Sequence, residues 1–162
     1  MKYVGRLISF LILVSAGLFY ASCDGGEPSG QSEEQTQLEK LKATWTMQSV
    51  DNDGTDRSDE YPNMTVTISG TFSEGGTYNY VSDADSWPNL SPWKANDNWK
   101  FKAGAVGSVI VRQTDLQEMN YQLTSSDKTL TISFDYPDTA PGFHNTRTES
   151  VAGQWTFVFT RP

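Results

Sequence analysis

Residues 119–135 read MNYQLTSSDKTLTISFD, and this stretch decides the fold class. Met119, Tyr121 and Leu123 alternate with Asn120, Gln122 and Thr124. After Ser125-Ser126-Asp127-Lys128, the residues Leu130, Ile132 and Phe134 alternate with Thr131, Ser133 and Asp135. A period of two sends successive side chains to opposite faces of an extended strand. Ser and Asp between two such runs are turn formers. The stretch is therefore predicted to be an antiparallel hairpin with one apolar face and one face suited to water.

The same alternation recurs on both sides of this hairpin. Trp45 and Met47 alternate with Thr44, Thr46 and Gln48; Met64, Val66 and Ile68 with Thr65, Thr67 and Ser69; Tyr78 and Tyr80 with Thr77 and Asn79. Trp99 and Phe101 alternate with Lys100 and Lys102, Val109 and Val111 bracket Ile110, and Trp155, Phe157 and Phe159 alternate with Thr156, Val158 and Thr160. Eight such strands, each with one apolar face, must close into a barrel or pair as a sandwich. The connections are mostly short, which favours an up-and-down meander over a Greek key. The expectation is an all-β chain: an eight-stranded antiparallel up-and-down barrel over 32–162. A membrane-spanning barrel is disfavoured, because it would turn its apolar face outward.

Ahead of the strands, residues 32–42 (SEEQTQLEKLK) predict a short helix. Ser32 with Gln35 three residues on forms a capping box. Glu33 and Glu34 suit the positive end of the helix dipole, and Lys40 and Lys42 the negative end. Leu38 and Leu41 share one face and are expected to dock on the domain. Residues 24–31 (DGGEPSGQ) read as a polar, flexible tether. Before them, Lys2 and Arg6 precede an apolar run from Leu7 to Ala21, and Ala21 and Ser22 are small residues at a cleavage position. That pattern is a secretory signal over 1–22, shorter in its apolar core than a membrane-spanning helix needs.

The 162-residue chain carries a formal charge of −8. Residues 1–22 hold two of its twelve basic residues and no acids, so the remaining 140 are more acidic still. Cationic surface supplies most nucleic-acid affinity, so nucleic acid is not an expected partner. Docking on anionic lipid by charge is disfavoured for the same reason. Cys23 is the only cysteine and His144 the only histidine, which leaves no disulfide within the chain and little material for zinc.

Two connections are long. Residues 83–97 carry Trp87, Pro88, Leu90, Pro92 and Trp93; residues 135–153 carry Tyr136, Phe143 and His144. Long connections in small domains serve as binding elements or lids, and the same aromatics would equally plug one barrel end. An eight-stranded barrel is just wide enough to be filled by side chains or to hold one small ligand. The inward set includes Trp45, Tyr78, Tyr80, Trp99, Tyr121, Phe134, Trp155 and Phe157. Of these, Tyr78, Tyr80, Trp99, Tyr121, Phe134 and Trp155, with Trp87 and Trp93 from the loop, are the candidate residues for a small, largely apolar ligand. Buried phenols want a polar partner, and a ligand can supply one. The alternative is a non-enzymatic module that docks another envelope protein, or inhibits a hydrolase, through the aromatic loops.

Other motifs weigh less. In Ser49–Glu60 (SVDNDGTDRSDE), Asp51, Asp53 and Glu60 fall at the third, fifth and twelfth positions of a calcium loop with Gly54 sixth. Ser49 at the first position and the lack of flanking helices speak against it, and Asp and Gly are also turn formers. No cofactor or metal is expected. A Ser-His-acid triad would have to use His144, and many serines give it no specificity; no enzyme activity is expected. Asp138-Thr139-Ala140 resembles an O-glycosylation sequence of some exported bacterial proteins, with Thr139 as acceptor.

Two family resemblances complete the reading. Ala21-Ser22-Cys23 resembles the lipobox of bacterial lipoproteins, with Tyr20 where leucine is usual. The resemblance implies cleavage before Cys23, a diacylglyceryl group on its sulfur and an acyl chain such as palmitate on its amine. It further implies an envelope address, the outer membrane of a Gram-negative cell. Leu38-x-x-Leu41-x-x-Thr44-Trp45, the central Asn98-Trp99-Lys100-Phe101 and the final Gly153–Arg161 resemble bacterial lipocalin-like lipoproteins, with Ala43 where that family has glycine. What this implies is a barrel floored by Trp45, with Arg161 packed over it, and a small ligand inside.

Overall fold

The computed structural model describes residues 30–83, 91–137 and 151–162. The chain divides after Gly30 into two units, and the second, Gln31–Pro162, holds the helix and strands described below. Helix α1 spans Glu33–Leu41, with Ser32 as its N-cap accepting from the Gln35 amide. The strands are β1 (Ala43–Asn52), β2 (Thr55–Asp56), β3 (Thr65–Ser69), β4 (Tyr78–Ser82) and β5 (Asn96–Phe101). They continue with β6 (Val109–Arg112), β7 (Glu118–Thr124), β8 (Thr129–Tyr136) and β9 (Gly153–Thr160), and a 3₁₀ turn lies at Ser58–Glu60.

The strands are hydrogen-bonded in the order β2-β1-β3-β4-β5-β6-β7-β8-β9, all antiparallel, and β1 also pairs with β9. Strand β2 only folds back on the end of β1. The other eight close into an up-and-down barrel. Strand β1 serves two neighbours. Ala43–Thr46 pair with β3, and Thr46–Asn52 pair with β9. Its register shifts between Met47 and Ser49, so Gln48 is the extra residue of a bulge. A bulge bends the strand, and here the bend lets β1 leave one partner for the other. It also breaks the period of two: Trp45 is buried, Ser49 is exposed, and the next buried residue is Val50.

Helix α1 closes one end, the floor. Its apolar face is Leu38 and Leu41, both buried. Its last turn is tied to the barrel by Trp45, whose indole N–H donates to the Leu41 carbonyl at 2.8 Å. Arg161 lies over the Trp45 ring, 4.9 Å from Cζ to the ring centre, and donates to the Lys40 carbonyl at 3.0 Å. On the opposite side Tyr78 donates to Glu34 at 2.8 Å, and the Gly75 amide donates to the same carboxylate. Guanidinium over indole contributes about 0.5–2 kcal/mol and the charged hydrogen bond about as much again. Arg161→Ala is therefore expected to lower stability in urea by about 1–3 kcal/mol, with Arg161→Lys restoring only part, because an ammonium lacks the planar stack. An unchanged urea midpoint in Arg161→Ala would show that this contact does not hold the floor.

Candidate functional site

The end opposite α1 is the mouth, where β4 leads into the segment 91–95 and β6 turns into β7. Every inward residue expected from the alternation is buried: Trp45, Tyr78, Tyr80, Trp99, Tyr121, Phe134, Trp155 and Phe157. They do not form one site. Tyr78 and Tyr121 turn their hydroxyls to the floor, Tyr78 to Glu34 and the Ser73 carbonyl, Tyr121 to the Val106 carbonyl and Gln37. Their phenols are thus engaged by the protein, not presented to a ligand. Trp155 donates its indole N–H to the Val151 carbonyl at 2.8 Å and packs edge-on against Tyr61. Burial pushes the Tyr61 phenol up to about 12.

Trp93 occupies the middle of the barrel. It is 1% exposed and meets Tyr80, Phe134, Phe157 and Phe159 edge-to-face, with ring centres 5.4–6.2 Å apart and planes 85–88° apart. Such pairs each contribute about 0.5–1.5 kcal/mol beyond burial. Of the two roles open to the loop aromatics, Trp93 takes that of a plug. Trp87, Phe143, His144, Thr139 and Cys23 lie outside the described residues.

What holds the plug is a buried arginine. Arg112 is wholly buried on the inner face of β6. It donates through Nη1 to the Pro92 carbonyl at 2.7 Å, and through Nε and Nη2 to the two oxygens of Asp115 at 2.9 and 2.6 Å. Burial pushes the Asp115 carboxyl up, but the hydrogen bonds and charge of Arg112 outweigh it and hold the carboxyl below its ordinary value. The segment is pinned further by the Ser91 hydroxyl accepting from the Trp93 amide, and by Lys94 donating to Thr114.

With the plug in place the described residues around it leave little space. A void beside it measures about 10 Å³, bordered by Val66, Ile68, Tyr80, Trp93, Trp99, Ile110, Met119 and Ile132. That is about the space of one water. Yet two of those eight residues bring indole N–H groups with no hydrogen-bond partner, Trp93 Nε1 and Trp99 Nε1, while the Tyr80 hydroxyl faces the Arg112 guanidinium. All three side chains are at least 95% buried. Burial drives the Tyr80 phenol well above its ordinary value, against the opposing charge and hydrogen bond of the neighbouring Arg112, so it is a neutral hydroxyl near pH 7. An unpartnered buried donor or acceptor costs about 1–3 kcal/mol.

The acidic turn after β1 is engaged by its own neighbourhood. Asp51 accepts from the Gly54 amide at 2.8 Å, Asp53 accepts from the Gln154 amide at 2.9 Å, and Glu60 pairs with Arg57. The three carboxylates thus go to three different partners. No group of three or more His, Cys, Asp or Glu is poised for a metal among the described residues.

Arg112, Asp115 and Ser91 were not singled out from the sequence. The available signal was the run Val109-Ile110-Val111-Arg112, in which Arg112 shares the face of Ile110 and must be buried with it. Asp97 is inward on β5 in the same way, two residues before Trp99.

Fold and site define a class: a small up-and-down barrel, floored by its own helix and filled through its mouth by its own tryptophan. Comparison of the chain with protein-family models, with curated proteins and with solved structures gave no match.

Proposed function

We propose that this chain is a non-enzymatic, membrane-anchored binding protein that takes a small, largely apolar ligand into the barrel in place of Trp93. One observation carries the reading: the indole N–H groups of Trp93 and Trp99 have no partner, and both residues border a small void with the Arg112-facing Tyr80. A filled apolar core is most stable with no such atoms. A ligand carrying one acceptor would satisfy the Trp99 indole N–H, with the Tyr80 hydroxyl beside it, once the Trp93 indole has left. The resemblance to lipocalin-like lipoproteins supports the same use of the interior, and the lipobox-like junction supports anchoring through Cys23.

The test uses the full chain, produced in a Gram-negative host and extracted in detergent. Native mass spectrometry is expected to find a copurified small molecule. A fluorescent hydrophobic dye is expected to bind and to be displaced by it, with weaker binding in Tyr80→Phe. Palmitate labelling is expected to vanish in Cys23→Ala. A chain with no copurified molecule and no displaceable dye site sinks the ligand reading; labelling that survives Cys23→Ala sinks the anchor.

A further inference from the structure

We propose a second binding site, for a neutral saccharide, on the outer wall of the barrel beside α1. A groove of about 510 Å³ runs between the last turns of α1 and strands β7 and β8. Its base is a patch of four outward side chains in register. Asn120 stands opposite Ser133, and Gln122 opposite Thr131. Gln37 and Lys40 of α1 form one wall.

Two amides and two hydroxyls supply both donors and acceptors. None of the four side chains is hydrogen-bonded to another group in the described protein. Cross-strand neighbours lie about 5 Å apart, and successive outward residues on a strand about 7 Å apart. The four groups thus form an array on the scale of the hydroxyls of a sugar ring.

Charge narrows the class. The lysine of the groove stands 3.9 Å from the groove's own acid, Lys40 to Asp127, and the rest of the lining is neutral. An anionic ligand would find no unbalanced cation there, in a chain of net charge −8. A neutral, hydroxyl-rich molecule fits all of these conditions. The groove lies on the outer wall toward the floor, so this site is independent of the interior one.

The experiment is saturation-transfer NMR on the full chain in detergent. The probes are neutral trisaccharides built from glucose, galactose, mannose or N-acetylglucosamine, with a sulfated heparin disaccharide as the anionic control. At least one neutral trisaccharide is expected to bind with Kd on the order of 1 mM, as suits a few exposed hydrogen bonds. Asn120→Ala combined with Gln122→Ala is expected to weaken it by about tenfold or more, while dye binding in the interior stays unchanged. These exposed positions carry no core packing, so the double variant keeps its melting temperature. No transfer to any neutral probe at about 20 mM, a stronger signal from the sulfated disaccharide, or binding that survives the double variant would each overturn the proposal. Failure of dye binding alone would overturn the interior reading and leave this one standing.

Discussion

Trp93→Ala is expected to lower the unfolding free energy by about 3–5 kcal/mol, the loss typical of deleting a large buried aromatic. The side chain is 1% exposed and packs edge-to-face on four other rings. Its removal takes out both the buried area and those contacts. It also leaves an indole-sized cavity lined by apolar groups, and such cavities stay open enough to take up small aromatic molecules. Indole or benzene is therefore expected to raise the melting temperature of Trp93→Ala more than that of the parent chain, in which Trp93 must first be displaced, since a ligand that binds only the folded state stabilises it by mass action. Thermal melts with and without indole measure both effects. A variant that is destabilised but indifferent to indole would mean that the barrel collapses onto the vacancy. The interior would then be a packed core and not a seat.

Asp115→Ala is expected to cost nearly as much, about 3–5 kcal/mol, although its side chain is 29% exposed. The reason is the asymmetry of the pair. Arg112 is 0% exposed and has two of its donors on Asp115. Taking away the carboxylate strands a charge that cannot reach water. Arg112→Met is expected to cost less, because Asp115 can turn outward and a thioether can fill the space. The same pair predicts an acid limb. The Asp115 pKa is lower folded than unfolded. Its contribution is then fully present above the unfolded value of about 3.9 and is lost as pH falls through the folded one. Urea titrations from pH 7 to 2 should show that loss below about pH 4. Asp115→Asn should flatten it. Because Arg112 also holds the Pro92 carbonyl, both variants should loosen Trp93, seen as a red shift and easier quenching of tryptophan fluorescence. If Asp115→Ala proved milder than Arg112→Met, the pair would not be the latch described.

How much of this could be read in advance differs between wall and interior. The hairpin of β7 and β8 was legible almost residue for residue, because Leu130, Ile132 and Phe134 must share a face once the segment is extended. The capped helix at Ser32 was legible through Ser32 and Gln35. The two-residue strand Thr55–Asp56 and the 3₁₀ turn at Ser58–Glu60 were not, since neither has a period to detect. The bulge at Gln48 was hidden because it interrupts the alternation that would have revealed the strand. Tyr78 and Tyr121 were rightly placed indoors, but which end their hydroxyls would reach depended on α1 and on the Val106 carbonyl.

Alternation along the chain thus specified an all-β wall, which face of each strand is greasy, and the buried membership of Trp45, Trp99 and Trp155. These are local properties: the backbone period assigns each side chain to a face before any partner is known. Whether the interior is hollow or solid was decided only in three dimensions. Trp93 belongs to a segment without a period. It reaches the centre because Arg112, nineteen residues further on, grips the Pro92 carbonyl from the opposite side of β5. The grip joins the segment just before β5 to the neighbouring strand β6, and where residues 91–95 come to lie is set by tertiary packing, because that segment has no period to read.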